Sequence, residues 1–435
     1  MTPTHLDRSY RALLAVPSIG RILMSMSLAR IAQAMVGVAI VLFTLDAYGS
    51  PAIAGLVTFA SAFPGIVVSP IAGALLDRHG RVRLVIVDYL IACASLVLIG
   101  VLSLAGLLPA ALLVLITAVS SLTSILSNTG LRSLFPLIVP RHLWERVNAV
   151  DSNGYVIATI FGPPIAAAAV ALIGGAPALI LIGCLFALAA IPMSQVREPD
   201  VMVSSSGSLM RDAWDGLRYA WGNATIRGLG FSISVLNISG GVVTIVIPLL
   251  VLQKLGLGPV AVGVAFAVSG ISGMISAFLF GRTDTRGREW LMLVFPTLGF
   301  VPSVGLLLPI AASPGAGQPG AIEPAFGFGL LLLSQGLFGA LNGPLDIALF
   351  TIRQRRTDPA IMGRAFAVSM AFNFLGYPVG AALAGVIAAA SLVATVLLGM
   401  TACLTSSVLA ASLIPRRDPP PAEISVGFSG IPPAP

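Results

Sequence analysis

The sequence predicts an all-α integral membrane protein, with twelve transmembrane helices in two pseudo-symmetric six-helix bundles. Three observations carry this. Of the 435 residues, 57% are apolar and only 9% are charged, where a soluble domain carries about 25% charge. The chain is divided into charge-free runs one or two bilayer crossings long. Its basic residues gather in alternate connecting segments. Mean hydropathy is +0.99. So few charges cannot cover the surface of a water-soluble chain of this length, which excludes a cytosolic enzyme, a disordered protein and a nucleic-acid binder. Cys93, Cys184 and Cys403 lie far apart in apolar stretches and make neither a metal-ligand spacing nor a disulfide framework. The N-terminus is polar for too long to be a cleavable signal peptide.

A crossing needs about 20 mostly apolar residues. With charges as fences, the uncharged runs give six single spans and three pairs. The pairs divide at Gly106–Pro109, at Gly174–Pro177 and at Ala390–Ser391. The expected helices are 20–45, 51–76, 83–105, 108–131, 147–173, 177–195, 226–252, 259–281, 289–311, 325–349, 363–388 and 392–414.

Orientation follows from the retention of Lys and Arg in cytoplasmic loops. Of the 24 basic residues, only Lys254 falls on the opposite side and only Arg30 inside a span. Both termini are therefore expected in the cytoplasm. The net charge of +7 is a product of topology and calls for no polyanionic partner.

The expected organisation is a cytoplasmic segment 1–19, a first bundle 20–195, a central cytoplasmic loop 196–225, a second bundle 226–414 and a Pro-rich disordered tail 415–435. The halves are related. Pro51 and Gly55 open one span and Pro259 and Gly263 another at a constant spacing, which also pairs Gly65 with Gly273 and Gly73 with Gly281. Asp77–Arg81 then matches Asp284–Arg288, and Arg146–Val150 matches Arg364–Val368. Duplicated halves around a midplane site are a transporter plan.

The loop after the second span reads Gly73-Ala74-Leu75-Leu76-Asp77-Arg78-His79-Gly80-Arg81-Val82-Arg83. It resembles the signature of the major facilitator superfamily, Gly-x-x-x-Asp-Arg-x-Gly-Arg, and Gly73, Asp77, Arg78, Gly80, Arg81 and Arg83 all match. The resemblance implies two six-helix bundles that expose a central cavity to each side in turn. It also implies a conformational latch in this loop, with Asp77 set at a helix N-terminus. A carboxylate there gains about 0.3–1 kcal/mol from the helix dipole. Gly73 permits close helix approach, Gly80 permits positive φ, and Arg78 and Arg81 can pair with acids such as Asp88. The second copy departs from the pattern at Thr285. Gly162-Pro163-Pro164 in the fifth span is similar to the antiporter element of the superfamily, although alanines replace its final glycines. Leu134–Pro140, Arg146–Ala149 and Gly363-Arg364 resemble the bacterial drug, macrolide and siderophore exporter-like branch.

Arg30 is the one charge well inside a span, at a cost of about 2.5–3.5 kcal/mol if it faced lipid. It is expected either to line the cavity or to pair with a carboxylate such as Asp151. In the resembled family the first, fourth, seventh and tenth helices line the cavity. That makes Arg30, Gln33, Asn128, Asn237, Gln335 and Asn342 the candidate lining. Proton coupling has three candidates, Asp346 first, then Asp151 and Asp46; Gln33 stands where relatives often carry an acid.

The reading is therefore a proton-coupled exporter of amphiphilic small molecules. It is expected to be a monomer in a bacterial plasma membrane, with no cofactor, no metal and no nucleic-acid partner. Uptake or lipid movement is the alternative within the class. A transport-inactive receptor or scaffold is the alternative outside it. No nucleotide loop and no catalytic cluster is present in the sequence, so no enzymatic activity is expected.

Overall fold

The computed structural model describes residues 9–198, 209–282, 287–357 and 362–416. The described residues are helical, and no strand occurs among them. A short helix, α1 (Tyr10–Leu14), precedes the first span, α2 (Ile19–Tyr48). Then come α3 (Pro51–Ala60), α4 (Phe63–His79), α5 (Arg81–Leu104), α6 (Ala110–Ile138), α7 (Trp144–Ile173) and α8 (Gly175–Ser194). The rest are α9 (Leu209–Gly222), α10 (Ala224–Leu249), α11 (Pro259–Phe280), α12 (Glu289–Gly305), α13 (Leu308–Ala312), α14 (Pro324–Arg355), α15 (Met362–Ala388) and α16 (Leu392–Leu413). Twelve helical stretches are long and apolar enough to cross a membrane. They coincide with the twelve expected spans, two of which are broken.

The second span divides at residues 61–62, because Pro64 in the first turn of α4 has no N–H to give the preceding turn. The ninth divides after Gly305, where Pro309 opens α13. α6 runs through Pro136 to Ile138, past its expected end. Segment 196–225 is not all loop: its second half is the amphipathic α9. The tail after Arg416, the run 199–208 and Asp284, Thr285 and Arg286 lie outside the described residues.

The helices fall into two compact units. The first comprises residues 1–49, 60–204 and 259–267; the second comprises 50–59, 205–258 and 268–435. In the first, α2 packs on α7 and α8, α5 on α6 and α8, and α4 on α6. In the second, α10 packs on α15 and α16, and α12 on α14 and α16. The pairings of the second unit thus repeat those of the first.

Close backbone approach holds these pairs, since apolar burial supplies little force between helices in lipid. A Cβ on Gly376 would fall 1.7 Å from the Ser234 carbonyl, and one on Gly380 2.1 Å from that of Ile238, so only glycine lets α15 lie against α10. Gly65 does the same for α4 on α6, where a Cβ would stand 2.4 Å from the Ser121 carbonyl.

Two short segments explain the unusual unit boundaries. Gly55 of α3 meets the backbone of Ala381 and Gly385 of α15, so residues 50–59 belong with the second unit. Gly263 of α11 meets Pro164 and Ala167 of α7, so 259–267 belong with the first.

Candidate functional site

In the first unit α2, α6 and α7 bring three charges together. Arg30 Nη2 reaches Asp151 Oδ1 at 2.5 Å, and Nη1 donates to the Asp151 carbonyl at 2.5 Å. Arg132 Nε stands 3.4 Å from Asp151 Oδ2. The Arg30 and Asp151 side chains are 10% and 9% exposed, while Arg132 is 64% exposed. The Tyr155 ring, one turn further along α7, lies 5.7 Å from the Arg30 guanidinium. Gly154 leaves room for that guanidinium, since a Cβ there would meet Nη1 at 3.4 Å. A cation that would be costly in lipid thus has a bidentate partner on a neighbouring helix. Of the two sequence readings of Arg30, the pair with Asp151 is formed. The cluster carries two arginines on one carboxylate.

The other expected lining residues divide between the two units. Gln33 and Asn128 are exposed, and the Asn128 amide donates back to Ser124 of its own helix. Gln335 is 1% exposed, with its amide nitrogen unpartnered. Asn342 is half-buried. Asp46 and Asp346 are exposed, and among the described residues neither pairs with a cation.

The loop between α4 and α5 is closed by a residue that motif reading does not supply. Gly80 turns the chain at φ 86°. Glu198, just beyond α8, accepts from the Val82 N–H at 3.0 Å and pairs with Arg81 Nη1 at 3.3 Å. It thus occupies the N-terminus of α5, where the dipole favours an anion. Arg81 Nε also donates to Ser133. Asp88 lies deeper, 4% exposed, and faces the Thr123 and Ser127 hydroxyls of α6. Asp88 stands two turns into α5, whereas Arg81 begins the helix and meets Glu198. Arg78 and Arg83 are exposed. The side chain of Asp77, and Gly73 beyond its place in α4, lie outside what is described.

Gly162 seats α7 on Ala34 of α2, where a Cβ would come within 2.5 Å of the alanine Cβ. α7 continues through Pro163 and Pro164 without a break.

The second unit has a centre the sequence did not reveal. Arg353 of α14 is completely buried. Its Nη1 donates to Met370 Sδ at 2.9 Å. With the Asn373 amide turned to present its oxygen, Nη2 donates there at 2.6 Å. Phe350 and Phe366 flank the guanidinium at 5.7 and 5.3 Å. Nε has no partner, and no described carboxylate pairs with it. Asn237 of α10 joins the same junction by donating to the Asn373 carbonyl at 2.8 Å. Arg353 lies in a run of basic residues that reads as a loop, which hides its burial.

The profile of the Major Facilitator Superfamily matches residues 22–330 and 229–432. The chain is 36% identical over 417 residues to the "Uncharacterized MFS-type transporter y4rN" of Sinorhizobium fredii, covering 94% of this chain and 98% of that protein. It is 24% identical to "Multidrug efflux pump Tap" of Mycolicibacterium fortuitum, covering 87% and 92%. A solved bacterial homologue of the human lysosomal transporter Spinster, in an inward-facing and unoccupied conformation, superposes with a TM-score of 0.70 at 14% identity, covering 95% of this chain and all of that one.

Proposed function

Because the chain belongs to the major facilitator superfamily of membrane transporters, we propose that it exports amphiphilic small molecules in exchange for protons, by alternating access of its two halves, 20–195 and 226–414. The observation that carries the export reading is similarity along nearly the whole chain to a protein named as a multidrug efflux pump. The reading places the protein as a monomer in a bacterial plasma membrane, with both termini and the linker 196–225 in the cytoplasm.

Asp346 is the proton carrier in this reading. It is an exposed carboxylate within a membrane span of α14, and no described cation pairs with it. Asp151 is already engaged by Arg30 and Arg132. Asp77 acts as the latch on the cytoplasmic side.

The test has two stages. Accumulation of a panel of dyes and antibiotics in pump-deficient cells identifies a cargo; the expected result is lower accumulation when the protein is present. Flux of that cargo is then measured in proteoliposomes under an imposed pH gradient. Flux in the wild type should follow the gradient, and Asp346→Asn should uncouple it. Asp77→Asn should slow flux at least tenfold with insertion unchanged. Flux indifferent to the gradient overturns proton antiport. Normal flux in a well-expressed Asp77→Asn variant overturns the latch.

A further inference from the structure

α5 carries one acid inside its membrane span. Asp88 lies seven residues beyond Arg81, about 10 Å along the helix axis, and is 4% exposed. It faces the Thr123 and Ser127 hydroxyls of α6. The two helices touch closely there. One turn away on each, a Cβ on Gly130 would fall 2.7 Å from Val85 Cγ2.

No cation answers this acid. Asp88 forms no ion pair among the described residues. α5 packs on α4, α6 and α8. α8 has no charged residue, α6 has only Arg132, and α4 has Asp77, Arg78 and His79. Arg132 stands on Asp151, Arg78 and His79 are exposed, and Asp77 is itself an acid. On α5, Arg83 is exposed and Arg81 meets Glu198. Tyr89 turns to Phe186 of α8, and the thiols of Cys93 and Cys184 lie further along that pair of helices.

The two hydroxyls do not replace a cation. A hydroxyl has one proton to give. Thr123 donates its own to the Ser120 carbonyl at 3.1 Å, and Ser127 donates to the Ser124 carbonyl at 3.3 Å. Both oxygens therefore present lone pairs to Asp88. A protonated carboxyl meets them as a donor. An ionised one would be buried with neither a counter-charge nor a donor, the costly state for an acid out of water.

We infer that Asp88 is a proton-binding site. Its carboxyl is held neutral between α5 and α6 and donates to the lone pairs of Thr123 or Ser127. Release of the proton to water sets a carboxylate against those lone pairs and loosens the contact. The first unit thus carries a proton-operated junction of its own, apart from Asp346 in the second. The inference rests neither on export nor on proton exchange.

The test uses the full-length protein in proteoliposomes. Infrared spectroscopy reads the carbonyl stretch of protonated carboxyls. That band should be present at neutral pH, fade in the wild type as the pH is raised, and be diminished at neutral pH in Asp88→Asn. Hydrogen–deuterium exchange, corrected for the intrinsic rate at each pH, reads the contact. Wild-type peptides from 120–130 should lose protection as the pH is raised. In Asp88→Asn a neutral amide donates in place of the acid, and protection should persist. Asp346→Asn should exchange as the wild type does, so failure here and failure of Asp346 as carrier are told apart. A band undiminished in Asp88→Asn, or one that does not fade in the wild type, overturns the protonated acid. So does exchange that answers to sodium instead of pH, the mark of an ionised carboxylate holding a metal cation. Wild-type protection that ignores pH, or Asp88→Asn protection that falls with it, overturns the junction.

Discussion

In the first unit the residue at the centre of the α2–α6–α7 junction is an acid, Asp151, held by Arg30 and Arg132. In the second unit, α10, α14 and α15 meet in the corresponding way. The sequence match of Arg146–Val150 with Arg364–Val368 sets Ser369 in the place of Asp151 and Asn373 in the place of Tyr155. Asn237 corresponds to Arg30. One junction is closed by an ion pair; the other by amides, a thioether and two aromatic rings around Arg353, with which no described carboxylate pairs. The two units share the packing and differ in the charges at this junction. An acid with two arginines can exchange partners as helices move. Arg353 has no described acid to exchange, and any carboxylate brought to it would be a new interaction.

This contrast can be broken at its strongest point first. Asp151→Ala leaves Arg30 buried without a counter-charge and should destabilise the protein by about 3–5 kcal/mol, the cost of orphaning one partner of a buried pair. Thermal unfolding in detergent measures it. The double variant Arg30→Gln/Asp151→Asn should recover most of the loss, because neither group is then an unpaired ion. A double variant as unstable as Asp151→Ala would show that packing, not charge, holds the junction.

Arg353→Met should behave in the opposite way. No described carboxylate loses a partner and a buried charge is removed, so stability should stay level or rise, by up to about 1–4 kcal/mol. Asn373→Asp would sharpen the point by giving the second unit the acid it lacks, and should raise the melting temperature in the Arg353 background but not in Arg353→Met. A fall in stability for Arg353→Met would mean that sulfur and amide ligation already offset the charge.

The smallest effect is expected at Glu198. Glu198→Gln keeps an acceptor for the Val82 N–H but loses the ion pair with Arg81, at a partly exposed site. The expected loss is about 0.5–1 kcal/mol, shrinking as salt is added. A salt-independent loss would assign Glu198 to capping alone.

Much of the fold was legible because the bilayer imposes it. Charge fences and span length place all twelve crossings, and they fail only where backbone chemistry intervenes. Pro64 breaks the second span although its neighbours remain apolar. α9 escaped because its polar face dilutes its apolar one, so the segment reads as loop until side chains are placed on a helix. At the candidate site, the expense of Arg30 in lipid pointed to Asp151. Glu198 carried no such signal: it lies 117 positions from Arg81 in sequence, and nothing local marks either residue as half of a pair. Arg353 was hidden for the converse reason, since a cation among other cations looks solvated.

The segment Pro259–Ala267 has a consequence for biosynthesis. It belongs to the first unit, yet the ribosome makes it after two helices of the second, α9 and α10. At about 5–20 residues per second, the surface of α7 around Pro164 and Ala167 waits for several seconds before Gly263 arrives to cover it. During that interval the N-terminal half stands in the membrane with a seam of small residues open to lipid. Maturation of the first unit is therefore tied to translation of the second, and a chain released early would carry that open seam for the rest of its lifetime.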